Sequence, residues 1–485
     1  MELNNDNHRP KTLEMTQKTS PEQLAKLFEA AQPFEAWFAQ LQSNFPESYA
    51  IGDDLQALVS SDPNQGKPIH RWYNLKESFS WSLPEWIVRW METNYGHQAQ
   101  VVLDSFLGSG TSGVSLSQIG LQVVGIEYNP FIRFVAAAKA DTPLASAIEL
   151  EMAIQELETP LPAPSKFPVP ALTTLQNEKF VSDEDMQLLL SMRERINQMQ
   201  VSSSSRTLLL LGIAAAIEAA FNLRKDGRAL RYVPKTAHRP LAEELAEHWR
   251  QILADVKSFQ EKGQSPRPLY EVYAGSAKDL KTLRTLDGHD VSLRNQCFDT
   301  IIYSPPYLNN FDYSEVYKLE LWILHFIESY EDWKNLRLGT IRSHHSISFP
   351  DTNYLGSDAR TQHIAQQITE MGDSICLPNS ERVRIKRVIT GYFDDMYQTL
   401  LEQWRVLKPG GVIAYVVANS RHYYLPVATD IMMGEIARCI GFEPLGLVVL
   451  KKRNGRTRQK LFLRESVVFI RKPLIVPIAK ERLSD

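Results

Sequence analysis

The stretch "QVVLDSFLGSGTSGVSLSQIGLQVVGIEYN", Gln100 to Asn129, limits the fold more than any other part of the chain. It holds two apolar runs, each too short for a helix and each closed by turn-forming residues. A glycine-rich loop and a helix-like segment, "TSGVSLSQIG", lie between them. Two strands joined through a helix run parallel, and the helix covers one face of their sheet. The same texture returns after residue 270, in "YEVYAGSAKDL", "CFDTIIYSPPY" and "FDDMYQTLLEQWRVLKPGGVIAYVVAN". "GLVVLKKRNGRTRQKLFLRESVVFIRK" reads as two strands around a basic turn. The fold expected is α/β, with an open, mostly parallel, Rossmann-like sheet.

Residues 141–267 differ in character. They hold the proline-rich connector "ETPLPAPSKFPVP", followed by helical periodicity, so they read as a helical insertion and a candidate target-recognition region. Residues 1–66 read as a polar tail and a helical extension, with "SPEQLAKLFEAAQPFEAWFAQL" in helical spacing behind a Ser-Pro start. Residues 67–140 and 268–475 then form the two parts of one sheet domain. The apolar run "LLLLGIAAAIEAAF" is shorter than a bilayer span and contains Glu218, so a buried helix is expected and no membrane partner. The first residues lack the apolar centre of a secretory leader, and the cysteines are three, far apart and without zinc-like spacing. A cytoplasmic protein without a disulfide framework or a bound metal is expected.

The loop itself carries chemistry. Glycines after a strand let backbone approach a ligand with no Cβ in the way. Glu127 ends the second strand 23 residues after Asp104, where a carboxylate can accept hydrogen bonds from ribose hydroxyls. The letters GSGTSG also fit the dinucleotide fingerprint, so a nicotinamide enzyme has to be weighed. The phosphate-loop pattern is absent, because no Gly-Lys-Ser/Thr follows.

A second feature is "TIIYSPPYLNN", Thr300 to Asn310. Proline cannot donate to a ladder, so a buried strand has to stop at Ser304-Pro305-Pro306-Tyr307. Together, "DSFLGSGTSG…VVGIEYNP" and "SPPY" resemble the cofactor loop and catalytic motif of S-adenosylmethionine-dependent DNA amino-methyltransferases, of the N4-cytosine and N6-adenine type. That resemblance implies a class I methyltransferase fold in which residues 67–140 and 268–475 form the catalytic domain. It implies S-adenosyl-L-methionine as cofactor, bordered by Phe106, passed by the backbone of Gly108, Gly110 and Thr111, and held at the ribose by Glu127. It also places Asp104 in that loop, Tyr128 beside the adenine, Ser276 and Asp279 in the following cofactor segment, and Phe79 and Ser80 in the preceding one. Ser105 departs from the proline frequent in the family.

The motif suits amine chemistry. An exocyclic amine is a poor nucleophile because its lone pair is delocalised into the ring. Acceptors on its N–H bonds favour a tetrahedral nitrogen and aim the lone pair at a methyl donor. The Ser304 hydroxyl and Pro305 carbonyl are the candidates, and Tyr307 offers a flat face to a base taken out of its stack. The serine form of the motif is associated with cytosine N4. Carbon-5 methylation is disfavoured, since it needs a Pro-Cys nucleophile that the chain lacks. A hydride-transfer enzyme has no use for the motif. Adenine N6 of DNA, an RNA amino-methyltransferase and a non-catalytic recognition subunit are the alternatives. Asn309, Asn310, Asp312 and Tyr313, just after the motif, read equally as pocket wall or as helix cap.

The net charge of −4 means that any DNA surface is a local patch. "NLRKDGRALRYVPK" offers Arg224, Lys225, Arg228 and Arg231, and "KKRNGRTRQK" offers Lys452, Arg453 and Arg456. "RVRIKR", Arg382 to Arg387, is a third basic run. "RSHHS", Arg342 to Ser346, has adjacent histidines with no third ligand in sight, which argues against a metal there. The resemblance further implies a restriction or defence setting with partner proteins.

Overall fold

The computed structural model describes residues 21–46, 48–49, 53–159, 167–226, 229–234, 239–263, 267–423, 425–452 and 463–474. In chain order its strands are β1 (Ser48–Tyr49), β2 (Val101–Asp104), β3 (Gln122–Glu127), β4 (Leu223–Asp226), β5 (Ala229–Tyr232), β6 (Glu271–Ser276), β7 (Asp279–Arg284), β8 (Asp290–Val291), β9 (Phe298–Tyr303), β10 (Leu407–Ala418), β11 (Ser420–His422), β12 (Leu425–Val427), β13 (Glu443–Lys452) and β14 (Arg464–Arg471). The main sheet runs β1-β13-β14-β10-β9-β2-β3-β6-β7-β8. Its centre, from β6 to β10, is parallel, and β14 runs antiparallel between β10 and β13. This is the class I methyltransferase-like sheet expected from the sequence.

The chain leaves β2 towards β3 and β6 on one side, then returns to β9 and β10 on the other. The order therefore reverses at β2, and the crevice above the carboxyl ends of β2 and β9 is a ligand site by topology alone. The crossover after β3 starts where the sequence says it should. Asn129 Oδ1 accepts from the amides of Phe131 and Ile132, and Pro130 fills the first helical position of Pro130–Ala140.

Two apolar layers sandwich the sheet. Helix Asn379–Val406 puts Ile385, Val388, Ile389, Tyr392, Phe393, Met396 and Leu400 on one stripe, and all are buried on one face. The N-terminal helix Pro21–Ser43 adds Phe34, Phe38 and Leu41 to that layer. The opposite face is covered by the 141–267 stretch, through helices Ala147–Leu157, Asp183–Gln198, Ser203–Ala220 and Leu241–Gln260. These helices share one continuous core with the strands. Ser203–Ala220 is long and apolar enough by composition to cross a membrane, but Leu208, Leu211, Ile213 and Ile217 are sealed inside the protein. Asp255 stitches this layer to the segment before β2, accepting from the Ile69 amide, Trp72 Nε1 and Arg71.

The same stretch also carries an antiparallel hairpin, β4–β5, which the helical reading did not anticipate. It is docked by Lys225. That ammonium is buried, paired to the fully buried Glu320, bonded to Tyr73 Oη at 2.9 Å and set 4.8 Å from the Tyr317 ring. Removing the cation strands a carboxylate in an apolar layer. Lys225→Ala is therefore expected to cost about 3–5 kcal/mol in urea denaturation. Lys225→Met combined with Glu320→Leu should recover most of the loss, and a single variant as stable as the parent would contradict the account.

Candidate active site

The register of the two central strands builds the site. Val102 faces Thr300 and Leu103 faces Ile301 in the β2–β9 ladder. The loop after β2 and the tetrapeptide after β9 therefore leave the sheet side by side. Phe106, in the loop, lies 5.5 Å from the ring of Tyr303, the last residue of β9, and Tyr303 lies 6.0 Å from Tyr415 on β10. Gln403 Nε2 donates to Ser105 Oγ at 2.9 Å from beneath. Loop and motif are held to each other and to the sheet before any ligand arrives.

Above them is a cavity of about 330 Å³. Phe79, Phe106, Gly108, Thr111, Glu127, Tyr128, Ser276 and the whole of Ser304–Tyr307 line it. Gly108 has φ +57°, and the space around its absent Cβ is clear to 3.9 Å, so its backbone borders the cavity directly. Glu127 Oε2 accepts from the Gly108 amide at 3.0 Å and Oε1 from the Asn129 amide at 2.7 Å. Those bonds fix the carboxylate on the wall. Desolvation nonetheless pushes its carboxyl up to about 7. Tyr128 reaches over to residue 339, where glycine leaves room for its hydroxyl.

Four residues predicted for the cofactor do not reach the cavity wall. Asp104 is buried beneath the loop, and its oxygens accept from the Phe106 amide at 2.9 Å and from Ser112 Oγ, which braces the bend. Gly110, at φ +82°, starts the following helix and packs on Tyr270. Ser80 is buried with its Oγ 2.9 Å from Ser82 Oγ. Asp279 starts β7 and borders a different surface groove, accepting from Thr282 Oγ1 at 2.5 Å and the Lys281 amide at 3.0 Å.

The motif makes its own network. Tyr307 Oη donates to Glu465 Oε1 at 2.7 Å, and Ser304 Oγ donates to Tyr307 Oη over a long 3.4 Å. Burial, with the neighbouring Glu465 charge, holds the Tyr307 phenol well above its ordinary value, so it stays neutral. The chain of donors runs Ser304 to Tyr307 to Glu465, which leaves the Ser304 lone pairs available as acceptors. The β9–β10 ladder ends at the Tyr303–Tyr415 pair, two residues before Pro305, so the Pro305 carbonyl is outside it. Of the following residues, Asn309 and Tyr313 are on the wall. Asp312 caps helix Tyr313–Val316 and holds Arg337 and Ser346, and Asn310 donates its amide to the Ser343 carbonyl.

Sequence reasoning missed several wall residues. Glu465 and Lys451 come from the paired ends of β14 and β13, and Glu77 comes from "NLKESFS", two residues before Phe79. The "RSHHS" segment matters for its arginine. Arg342 is buried between Asp394 and Asp395 at 2.9 and 2.8 Å, and this pins the 339–344 wall to helix Asn379–Val406. An acidic pair in a helix stripe otherwise apolar was the available signal. His344 lines the cavity with Nδ1 2.5 Å from Ser346 Oγ.

The basic runs divide. Lys225 is corrected: it is buried and paired with Glu320, so its charge is not presented at the surface. Arg224 and Arg231 are exposed and stand opposite each other in the hairpin. Lys452 is exposed at the end of β13, whereas Arg228, Arg453 and Arg456 lie outside the described residues. In "RVRIKR", Lys386 pairs with Asp373 and Arg387 with Asp351. Away from the cavity, donor atoms of His363, Glu435 and Cys439 lie within 4.8 Å of one another, a grouping that spacing alone could not reveal. Glu435 there already holds Arg438 at 2.6 Å.

No protein-family profile matches the chain. Individual proteins do. The Type II methyltransferase M.BsoBI of Geobacillus stearothermophilus is 26% identical over 458 residues, 86% of this chain and 88% of that protein. The chain is similar to type II methyltransferases. M.AvaI of Nostoc sp. is 23% identical over 471 residues, covering 89% and 92% of the two chains, and M.MvaI of Kocuria varians is 23% identical over 412, covering 80% and 85%. The similarity takes in both the glycine-loop half and the motif half. A solved rRNA methyltransferase, aviRa of Streptomyces viridochromogenes, aligns at 13% identity with a TM-score of 0.26, over 87% of this chain and 94% of its own. The fold assignment rests on strand order and not on that overlay.

The loop conformation makes one prediction independent of any ligand. A Cβ at Gly110 would fall inside the Tyr270 hydroxyl and would sit at a positive φ. Gly110→Ala should cost about 1–3 kcal/mol in urea denaturation. Gly120→Ala, also at positive φ but in open space, should cost less; equal losses would mean that packing on Tyr270 is not what the glycine serves.

Proposed function

We propose that the protein transfers a methyl group from S-adenosyl-L-methionine to an exocyclic amine of a DNA base, with cytosine N4 as the target and adenine N6 as the second choice. One observation carries this reading: Ser304-Pro305-Pro306-Tyr307 and the glycine loop line one cavity at the point where the strand order reverses. DNA as substrate is supported by the resemblance of both motifs to DNA amino-methyltransferases and by the likeness to type II methyltransferases. The serine of the motif supports the cytosine.

S-adenosyl-L-methionine is the cofactor, and when bound it supplies an electrophilic methyl group on a sulfonium. The residues present fit it. Glu127 has lone pairs left for the ribose hydroxyls after its two amide bonds. Phe79, Phe106, Ile126 and Ile132 provide apolar wall, and Gly108 allows close approach of backbone.

On the base side, Ser304 Oγ and the Pro305 carbonyl accept the two amine hydrogens. Both are neutral, so they orient the nitrogen and favour its tetrahedral form without taking the proton in advance. Tyr307 is fixed through Glu465 and presents its ring to the extruded base, with Tyr313 on the same wall. A base stacked in a duplex keeps its faces covered by its neighbours, so contact with the Tyr307 ring requires that it leave the stack. Arg224 and Arg231 on the β4–β5 hairpin and Lys452 at the end of β13, all exposed, are the candidates for phosphate contacts.

The test is a labelled-methyl assay on DNA with nucleoside analysis, run on the parent and on Ser304→Ala. The label should appear as N4-methylcytosine. Ser304→Ala should keep cofactor affinity within about twofold and lose roughly 100-fold or more in kcat. Label found only in RNA, or full activity without the hydroxyl, would overturn the reading.

Acidity adds a second test. Only the ionised Glu127 is a full-strength acceptor, and its carboxyl stands at about 7 before ligand binds. Cofactor affinity should be complete above that pH and fall below it, approaching about tenfold per pH unit. Glu127→Gln should bind more weakly with a flat profile. Calorimetric titration between pH 6 and 8 checks this, and a flat profile for the parent would contradict it.

A further inference from the structure

Among the described residues three carboxylates line the cavity, and the methyl-transfer reading uses two of them: Glu127 and Glu465. The third is Glu77. It stands between Leu75, whose Cδ1 lies 4.0 Å from where a Cβ of Gly108 would sit, and Phe79, also on the wall. Glu77 thus belongs to the wall segment that reaches Gly108 through Leu75. Its Oε2 accepts from Tyr317 Oη at 2.8 Å.

A phenol hydrogen bond does not replace a counter-ion. Burial raises the Glu77 carboxyl above its ordinary value, the sign of an anion short of compensation. The two lysines whose charges reach it are committed elsewhere. Lys225 is spent on Glu320. Lys76 sends its Nζ to the Lys225 carbonyl at 3.0 Å and to Glu218 at 3.4 Å. The acid of the glycine loop is no substitute, because Asp104 uses both oxygens to brace its own bend and is not on the wall.

Tyr317 fixes Oε2 and the residue's own backbone amide also donates to the carboxylate, and about four lone pairs shared between two such bonds leave acceptor capacity for an incoming donor. A ligand that brings a cation to this wall would meet it. The cofactor has such a group at the amino-acid end, remote from its ribose. We propose that Glu77 receives the α-ammonium of S-adenosyl-L-methionine, and so selects ligands that carry an amino-acid end over nucleosides that lack one. This rests on the reading that the cavity takes that cofactor.

The test compares two stable ligands on the full chain by calorimetry. S-adenosylhomocysteine carries the α-ammonium. 5′-Methylthioadenosine shares its nucleoside and thioether but has no amino-acid end. Glu77→Gln keeps the shape and an acceptor for Tyr317 while removing the charge. It should weaken S-adenosylhomocysteine by about 10–100-fold, the usual range for losing a charge-assisted hydrogen bond. Methylthioadenosine should change by less than about twofold. Glu77→Asp keeps the anion and should retain more of the preference than Gln. Equal weakening of both ligands, no change for either, or Asp as poor as Gln would overturn the assignment. A parent protein that binds neither ligand would instead remove the cofactor reading, and the role of Glu77 with it.

Discussion

The pairing of β2 with β9 is the constraint on which the rest depends. Because the ladder sets Val102 against Thr300 and Leu103 against Ile301, a glycine bend and a proline stop emerge as neighbours. Neither loop is a site alone. The first offers exposed backbone, with the Glu127 carboxylate of β3 held against it by the Gly108 amide, and the second offers a hydroxyl and a carbonyl outside the ladder. A slip of one residue would turn each inward side chain outward and separate the two loops. The aromatic row Phe106–Tyr303–Tyr415 and the buried Gln403–Ser105 bond oppose such a slip.

The cavity is built against an electrostatic cost. Carboxylates 77, 127 and 465 all face a partly desolvated space. They are offset in two ways: Glu127 by two backbone amides, and Glu465 and Glu77 each by a phenol. A cationic ligand is the natural complement to such a wall, because it returns to the anions what burial withdrew. The walls are braced from behind with the same economy. Arg342 between two aspartates holds the 339–344 segment, and Lys225 on Glu320 holds the hairpin close by.

What could be read in the sequence was local. The strand–loop–helix–strand unit, the proline stop and the acidic end of β3 each depend on residues adjacent in the chain, and each stands where expected. Burial and partner choice were not local. Lys225 looked like one more cation in a basic run, yet its partner is 95 residues away in the chain. Asp104 and Ser80 carry the right side chains at the right places, but the loop turns them inward. Asp279 lies one strand too far from the crevice. Glu465 was invisible because only antiparallel insertion of β14 beside β10 carries it to a motif 158 residues earlier. The β4–β5 hairpin hid inside a helical stretch because its charged strands have no apolar alternation to announce them.

The most direct measurement is a crystal structure of the protein with S-adenosylhomocysteine. The account predicts ribose density on Glu127, with the sulfur facing the Ser304 hydroxyl and Pro305 carbonyl across an empty space large enough for a flat base. Ligand bound in the groove beside Asp279, or a sulfur turned away from Ser304, would contradict it.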